Sequence, residues 1–202
     1  MKYKGIIFDL DGVICFTDKY HYLAWKRLAD KLGIYFDETI NNRLRGVSRM
    51  ESLEIILEKS TKKYSKEEKE DFAEQKNKMY VELLEDMTPA DLPKEVKTTL
   101  DDLRKQGVLL AIGSSSKNAK RILKHLGLEN YFDAISDGTN ITKSKPDPEV
   151  FLKAAEYLQL EPQECLVVED AVAGIKAATD GGFDSAGSVS YTHLRAHETG
   201  RN

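Results

Sequence analysis

Four short apolar runs, separated by helical patterns, constrain the fold of this 202-residue chain more than any other feature. They lie at 5–8, 108–112, 132–135 and 166–168, and they have the length and composition of buried strands. Between the last three runs, apolar residues recur at helical spacing in segments bounded by proline and glycine. Strands that alternate with helices predict an α/β fold with a parallel, doubly wound, Rossmann-like sheet.

A long helical block follows the first strand, and no comparable strand signal interrupts it. Ser48 and Ser65 are typical N-caps within this block, and apolar residues recur along it at helical spacing. Such a block directly after one strand predicts a small all-α cap domain inserted into the core. We therefore expect a core domain at 1–15 and 89–187 and a helical cap domain at 16–88.

The composition argues against several classes of function. The net charge is −4 and there is no long basic run, so neither nucleic acid nor a membrane surface is expected as a partner. No apolar run approaches the ~20 residues of a membrane span, and the first strand begins too early for a signal peptide. Cys15 and Cys165 have neither metal-ligand nor disulfide spacing, which favours the reducing cytosol.

The first strand runs directly into two aspartates, Asp9 and Asp11, followed by Gly12. In an extended segment, side chains two residues apart share a face, so both carboxylates would project beyond the end of the strand. They repel each other unless a cation or a shared proton lies between them. Taken alone, the segment is also explained by a strand that ends in a solvated acidic turn.

Polar side chains follow two later strands as well. Ser114 comes after the second strand, Glu169 and Asp170 come after the fourth, and a loop ending in proline carries Lys145. The carboxyl ends of parallel strands form the ligand crevice of an open α/β sheet, so these groups would converge there. Carboxylates suit Mg²⁺, while a lysine and a hydroxyl suit phosphoryl oxygens. The set predicts phosphoryl transfer with an aspartate nucleophile, although Glu169 and Asp170 would also suit a helix N-cap.

Together these signatures resemble those of the haloacid dehalogenase superfamily of phosphotransferases. Over roughly 1–187, the chain is most similar to the β-phosphoglucomutase family within it. The segments that carry this similarity are Phe8-Asp9-Leu10-Asp11-Gly12-Val13-Ile14, Tyr20-His21, Ala24-Trp25-Lys26, Gly46-Val47-Ser48-Arg49, Lys76-Asn77, Ser116-Lys117-Asn118, Ser144-Lys145-Pro146 and Ala173-Gly174-Ile175.

The resemblance implies a role for each core residue. Asp9 would attack the phosphoryl group to give an aspartyl-phosphate, and Asp11 would act as general acid and base toward a sugar hydroxyl. Ser114 and Lys145 would hold the phosphate during its transfer. The implied Mg²⁺ site consists of Asp9, the backbone carbonyl of Asp11, Asp170 and, beside them, Glu169.

The resemblance also implies substrate contacts in the cap. Arg49 would hold the far phosphate of a bisphosphorylated sugar, with Ser116, Lys117 and Asn118 facing it from the core. The residues implied to line the sugar pocket and the closing seam are Thr17, His21, Trp25, Arg45, Gly46, Val47, Ser52, Lys76 and Ser115. Without the resemblance, His21 is explained as a helix-face histidine, Trp25 as cap core, and Arg49 and Lys76 as solvated charge.

The reaction implied is the conversion of β-D-glucose 1-phosphate to glucose 6-phosphate, with β-glucose 1,6-bisphosphate as intermediate and primer. A closing lid would keep water from the aspartyl-phosphate, and the helical insert is the candidate lid. A sugar-phosphate phosphatase would need only the core residues and is the enzymatic alternative. A phospho-accepting response regulator is the non-enzymatic alternative, but it lacks a helical insert. We expect a monomer that acts on a small-molecule sugar phosphate.

Three features depart from the family pattern. Arg45 stands where lysine is more common, and Cys15-Phe16 stands where small or polar hinge residues are usual. Residues 188–202 resemble nothing in the family, and we interpret them as a non-native tail. On that hypothesis the native C-terminus is missing, the sheet has an unpaired edge, and the chain could be inactive.

Overall fold

The sheet has five strands in the part of the chain that the computed structural model describes, residues 2–44 and 47–188. The strands are β1 Gly5–Phe8, β2 Leu109–Gly113, β3 Ala134–Ser136, β4 Cys165–Glu169 and β5 Asp184–Gly187. Their order is β3-β2-β1-β4-β5 and every pairing is parallel, with Ile7 of β1 opposite Ala111 of β2 and Val167 of β4. The predicted parallel, doubly wound sheet is confirmed.

Helices make up most of the remaining described chain. Between β1 and β2 lie α1 Asp18–Leu32, α2 Glu38–Asn42, α3 Arg49–Leu57 and α4 Lys66–Leu84, and then come α5 Lys94–Lys105, α6 Ala119–His125, α7 Glu149–Leu158 and α8 Val172–Asp180. Ser48 and Ser65 begin α3 and α4 in reciprocal capping boxes, which confirms both predicted caps. In the described chain, no helix is both long enough and apolar enough to span a bilayer.

Three clusters of buried apolar side chains hold these layers together. One lies on the face of the sheet that carries Leu110 and Ile112, and it extends to Leu84 of α4. A second lies on the opposite face under α7 and α8, and a third, including Leu28 and Leu53, lies within the helical block. The helical block between β1 and β2 therefore has its own apolar core, and its helix α4 also packs against one face of the sheet.

The structure corrects the predicted strands at two points. β5 was not predicted, because its sequence Asp-Ser-Ala-Gly has low strand propensity and all four residues are exposed. Its stability comes from pairing with β4, and the backbone N–H of Ser188 continues the ladder to the carbonyl of Glu169 at 2.7 Å. The third strand begins at Ala134 instead of residue 132. The rest of the predicted non-native tail, 189–202, lies outside the described residues.

Candidate active site

The loop after β1 brings the aspartate pair to the carboxyl edge of the sheet. The backbone N–H of Asp9 donates to the carbonyl of Val168 at 2.9 Å, which extends the β1–β4 ladder by one residue. Gly12 then turns the chain with φ at 97°, in the left-handed region that favours glycine. A Cβ atom at Gly12 would overlap the Asp170 carboxylate, so the turn also allows the acidic loop after β4 to approach.

A buried ion pair joins Lys145 to two of the carboxylates. Lys145 Nζ lies 2.5 Å from Asp9 Oδ1 and 3.0 Å from Glu169 Oε1. The side chains of Lys145, Asp9 and Glu169 are only 8%, 10% and 2% exposed. Their charges are therefore poorly screened by water and interact strongly with one another.

Glu149 fixes the loop that carries Lys145. Its carboxylate accepts hydrogen bonds from the backbone N–H groups of Thr142 and Lys143, at 3.0 and 2.8 Å. These bonds, the one to the backbone of Lys143 foremost, lower the pKa of Glu149 to about 2, so the carboxylate is ionised at physiological pH. The sequence gives no functional signal for Glu149 beyond its position at the start of a helix.

Asp9, Glu169 and Asp170 form an acidic cluster suited to a metal ion. One carboxylate oxygen from each lies within 4.8 Å of the others. Glu169 Oε2 also accepts from the backbone N–H of Ala171 at 3.1 Å, at the start of α8, and a Cβ atom at Gly174 would overlap this carboxylate. Close packing thus holds Glu169 in place.

The electrostatics of the acidic cluster favour a cation. Burial raises the pKa of Asp9 to about 7 despite the opposing effect of Lys145, and burial together with Glu169 raises the pKa of Asp170 to about 6. One lysine does not neutralise three carboxylates, so the site retains negative charge. Oxygen ligands and excess negative charge match the preferences of Mg²⁺, so the residues fit this ion.

Asp11 is not one of the three clustered carboxylates, and its side chain accepts a hydrogen bond from the hydroxyl of Thr17. Burial raises the pKa of Asp11, and the bond from Thr17 opposes the shift. Thr17 is 1% exposed and is the N-cap residue of α1, but its hydroxyl makes no capping bond. The predicted sugar contact of Thr17 therefore has no support in the cavity lining, which does not include this residue.

A cavity of about 560 Å³ opens between the carboxyl edge of the sheet and the helical block. The predicted site residues that line it are Asp9, Asp11, Ser114, Lys145, Glu169 and Asp170, then Ser115, Ser116, Lys117 and Asn118, and on the helical side His21, Trp25, Val47, Arg49, Ser52 and Lys76. Arg45 and Gly46 lie outside the described residues. Among the described residues, the structure thus brings together every predicted site residue except Thr17.

Lys76 is enclosed by aromatic rings and is not a solvated charge. It is 3% exposed, and its Nζ is hydrogen-bonded to Nδ1 of His21 at 2.9 Å. The ammonium lies 4.8 Å from the ring centroid of Trp25 and 4.7 Å from that of Tyr80, and His21 stacks on Tyr80. Burial lowers the pKa of Lys76 to about 7 and shifts that of His21 well below its usual range.

Elsewhere in the cavity wall, polar groups of the helical block and the core meet at Asn77. Asn77 Oδ1 accepts from Arg49 Nη2 at 3.0 Å and from Asn118 Nδ2 at 3.1 Å. Gly138 allows the loop after β3 to pack here, since a Cβ atom would overlap the carbonyl of Ser115. Asn77 and Tyr80 line the cavity, but the sequence analysis assigned them no role, although Asn77 lies in a quoted motif.

The parallel sheet and its carboxylate and lysine site define a haloacid dehalogenase-like enzyme. The family model of haloacid dehalogenase-like hydrolases matches residues 3–182, and the chain belongs to this family. Within the family, it is homologous to phosphomutases of the β-phosphoglucomutase type. The predicted family and enzyme class are thereby confirmed.

Similarity to individual relatives extends over most of the chain. The chain is 43% identical to the β-phosphoglucomutase of Bacillus subtilis over 186 residues, which are 91% of this chain and 82% of the relative. It is 32% identical to a phosphorylated carbohydrates phosphatase of Thermotoga maritima, covering 90% of this chain and 82% of that protein. The crystal structure of a Clostridium difficile β-phosphoglucomutase matches with a TM-score of 0.86 and 44% identity, covering 96% of this chain and 87% of that one.

Proposed function

We propose that the protein is a β-phosphoglucomutase, which interconverts β-D-glucose 1-phosphate and glucose 6-phosphate through β-glucose 1,6-bisphosphate. The observation that carries this proposal is one cavity lined both by the carboxylate and lysine site of the core and by Arg49 with Asn118. The first group would receive the phosphoryl group that is transferred, and the second would receive the other phosphate of a bisphosphorylated sugar. The 43% identity to the Bacillus subtilis enzyme supports the same substrate.

In this proposal, an Asp9 oxygen forms a bond to phosphorus while the bond between phosphorus and the sugar oxygen breaks. Asp11 gives its proton to the departing hydroxyl, and in the reverse half-reaction it takes a proton from the attacking hydroxyl. The raised pKa of Asp11 favours its protonated form, which a general acid requires. Ser114 and Lys145 would hold the phosphoryl oxygens during transfer.

We assign the Mg²⁺ site to Asp9, the backbone carbonyl of Asp11, Asp170 and, beside them, Glu169. When bound, Mg²⁺ would neutralise charge on the phosphoryl oxygens. The fit rests on the three carboxylates that approach within 4.8 Å of one another. Lys145 contacts Asp9 and Glu169 directly and therefore lies beside the proposed ion site.

We also assign 16–88 to a cap domain that closes over a core of 1–15 and 89–187. The cap would supply Arg49 to the distal phosphate, and the sugar pocket residues His21, Trp25, Arg45, Gly46, Val47, Ser52 and Lys76, while Thr17 would hold the Asp11 carboxylate. Ser115, Ser116, Lys117 and Asn118 would face them from the core. Closure would exclude water, which an aspartyl-phosphate must avoid until the intermediate has turned over.

A sugar-phosphate phosphatase is the second candidate function. The chain is 31% identical to a fructose-1-phosphate phosphatase of Escherichia coli. It is 32% identical to the Thermotoga maritima phosphatase described above. Hydrolysis would use the same Asp9, Asp11 and Lys145, with water in place of the sugar hydroxyl. The polar residues on the cap side therefore decide between the two functions.

We further propose that the enzyme is a cytosolic monomer primed by β-glucose 1,6-bisphosphate. Two buried free cysteines, Cys15 and Cys165, are compatible with a reducing compartment. Sedimentation of the purified chain would test the oligomeric state, and a dimer would contradict the proposal.

A coupled assay tests the proposed function. It measures glucose 6-phosphate formed from β-glucose 1-phosphate with Mg²⁺ and primer, for the wild type and for Asp9→Asn. We expect turnover that depends on primer and is abolished in Asp9→Asn. Phosphate release without glucose 6-phosphate would favour the phosphatase, and activity retained in Asp9→Asn would contradict both functions.

A further inference from the structure

One amide oxygen connects the helical block to the core in the wall of the cavity. Asn77 lies on α4, Arg49 is the first residue of α3, and Asn118 is the N-cap residue of α6. Oδ1 of Asn77 accepts from Arg49 at 3.0 Å and from Asn118 at 3.1 Å. Three separate segments, two from the helical block and one from the core, thus converge on a single acceptor.

The chemical nature of this acceptor matters, because Arg49 is partly buried. Burial lowers the pKa of the Arg49 guanidinium, so its environment does not fully compensate the charge. Among the described residues, Glu74 acts on Arg49 electrostatically without a direct ion pair, and the hydrogen-bond acceptor of Arg49 is the neutral Asn77 amide. A neutral acceptor orients the guanidinium and leaves its positive charge available to an anion.

We propose that Asn77 is a positioning residue, which sets the Arg49 guanidinium and the Asn118 amide for the distal phosphate of a bisphosphorylated sugar. The proposal rests on the proposed function for its ligand, but it concerns a residue to which the catalytic steps above give no role. It predicts that both the shape and the neutrality of Asn77 matter. A residue that served only to stabilise α4 would affect bisphosphate binding and the reaction at Asp9 equally.

Two substitutions separate these requirements. Asn77→Ala removes the acceptor, and Asn77→Asp keeps an acceptor of the same size but adds a negative charge that neutralises Arg49. Lys78→Ala is the matched control, because Lys78 is an exposed neighbour on the same helix. Each is made in the full chain, and also together with Asp9→Asn, which prevents turnover during binding measurements.

The test compares bisphosphate binding with chemistry at the core site. Calorimetry on the Asp9→Asn background measures the Kd for glucose 1,6-bisphosphate with Mg²⁺, and hydrolysis of p-nitrophenyl phosphate reports on the Asp9 and Lys145 site alone. We expect Asn77→Ala to weaken bisphosphate binding about tenfold, the usual effect of losing a hydrogen bond to a charged group. We expect Asn77→Asp to bind more weakly still, and hydrolysis to stay within about twofold of wild type in both variants.

Three results would overturn the proposal. They are an unchanged Kd in Asn77→Ala, a wild-type Kd in Asn77→Asp, and equal losses of bisphosphate binding and p-nitrophenyl phosphate hydrolysis. Absence of bisphosphate binding on the Asp9→Asn background alone would also overturn it. If the chain binds bisphosphate through Asn77 but forms no glucose 6-phosphate, the proposed function fails and this inference stands. If the chain has mutase activity but its Kd for the bisphosphate does not depend on Asn77, the proposed function stands and this inference fails.

Discussion

Lys145 Nζ lies 2.5 Å from Asp9 Oδ1, in a pair whose side chains are only 8% and 10% exposed. Removal of one member of a buried ion pair leaves the other charge uncompensated, at a cost of about 3 kcal/mol. We therefore expect Lys145→Met to lower the free energy of unfolding by about 3 kcal/mol in the absence of Mg²⁺ and to abolish turnover.

Urea denaturation measures the stability effect of Lys145→Met. The control is Lys143→Met, since the Lys143 side chain is 71% exposed and its loss should change stability little. Equal unfolding free energies for Lys145→Met and wild type would contradict the role given to the pair.

The acidic cluster predicts that Mg²⁺ stabilises the folded protein. A ligand that binds only the folded state raises Tm, so millimolar MgCl₂ should raise the Tm of the wild type. Asp170→Asn removes one of the three clustered carboxylates and should lose most of this increase. Asp86→Asn is the control, because Asp86 is an exposed acidic residue, and this variant should keep the full increase in Tm. If Asp170→Asn and wild type respond alike to Mg²⁺ in thermal melts, the site is misassigned.

The close approach of α8 to Glu169 predicts a strong effect for a small substitution. In Gly174→Ala the new methyl group would overlap the Glu169 carboxylate and displace it from Lys145. Overpacking of this kind costs about 1–3 kcal/mol, and we expect kcat to fall with the displaced carboxylate. Gly187→Ala is the control, because nothing lies within 4 Å of a Cβ at that position. Equal kcat and Tm in the two variants would contradict this interpretation.

Lys76 predicts a pH dependence of stability. Burial lowers its pKa from 10.5 to about 7, so between these values the unfolded chain binds a proton that the folded chain does not. The free energy of unfolding therefore receives a contribution that rises with pH across this window, by at most about 1.4 kcal/mol per unit. Below about pH 7, Lys76 is protonated in both the folded and the unfolded state, so the folded protein bears the full free-energy cost of burying the charge.

Lys76→Met tests this pH dependence, because it removes the titrating group and retains most of the side chain's volume. Urea denaturation at intervals from pH 7 to 10 should give a smaller positive slope in the variant than in the wild type. Superimposable stability profiles would show that Lys76 keeps its ordinary pKa in the folded protein.

Much of the core half of the site could be predicted from the sequence, for a physical reason. Asp9, Ser114 and Glu169 each follow an apolar run, and parallel strands bring their carboxyl ends to one edge. Once the sheet was predicted, the convergence of these residues followed. β5 was missed because its stability comes from pairing with β4 and not from its own residues.

The contacts of the helical side could not be predicted in this way. Lys76 and His21 are 55 residues apart, and their hydrogen bond depends on how α4 packs against α1. The Thr17 hydroxyl donates to Asp11 and not to the backbone of its own helix, which the capping pattern of the sequence does not indicate. The resemblance placed these residues in a site, but it did not give their contacts.

The central claim is that phosphate taken up by Asp9 returns to a sugar and not to water. ³¹P nuclear magnetic resonance follows β-glucose 1-phosphate, glucose 6-phosphate and inorganic phosphate in one reaction with Mg²⁺ and β-glucose 1,6-bisphosphate. We predict that glucose 6-phosphate accumulates as β-glucose 1-phosphate disappears, with little inorganic phosphate. Stoichiometric release of inorganic phosphate, without glucose 6-phosphate, would contradict the account.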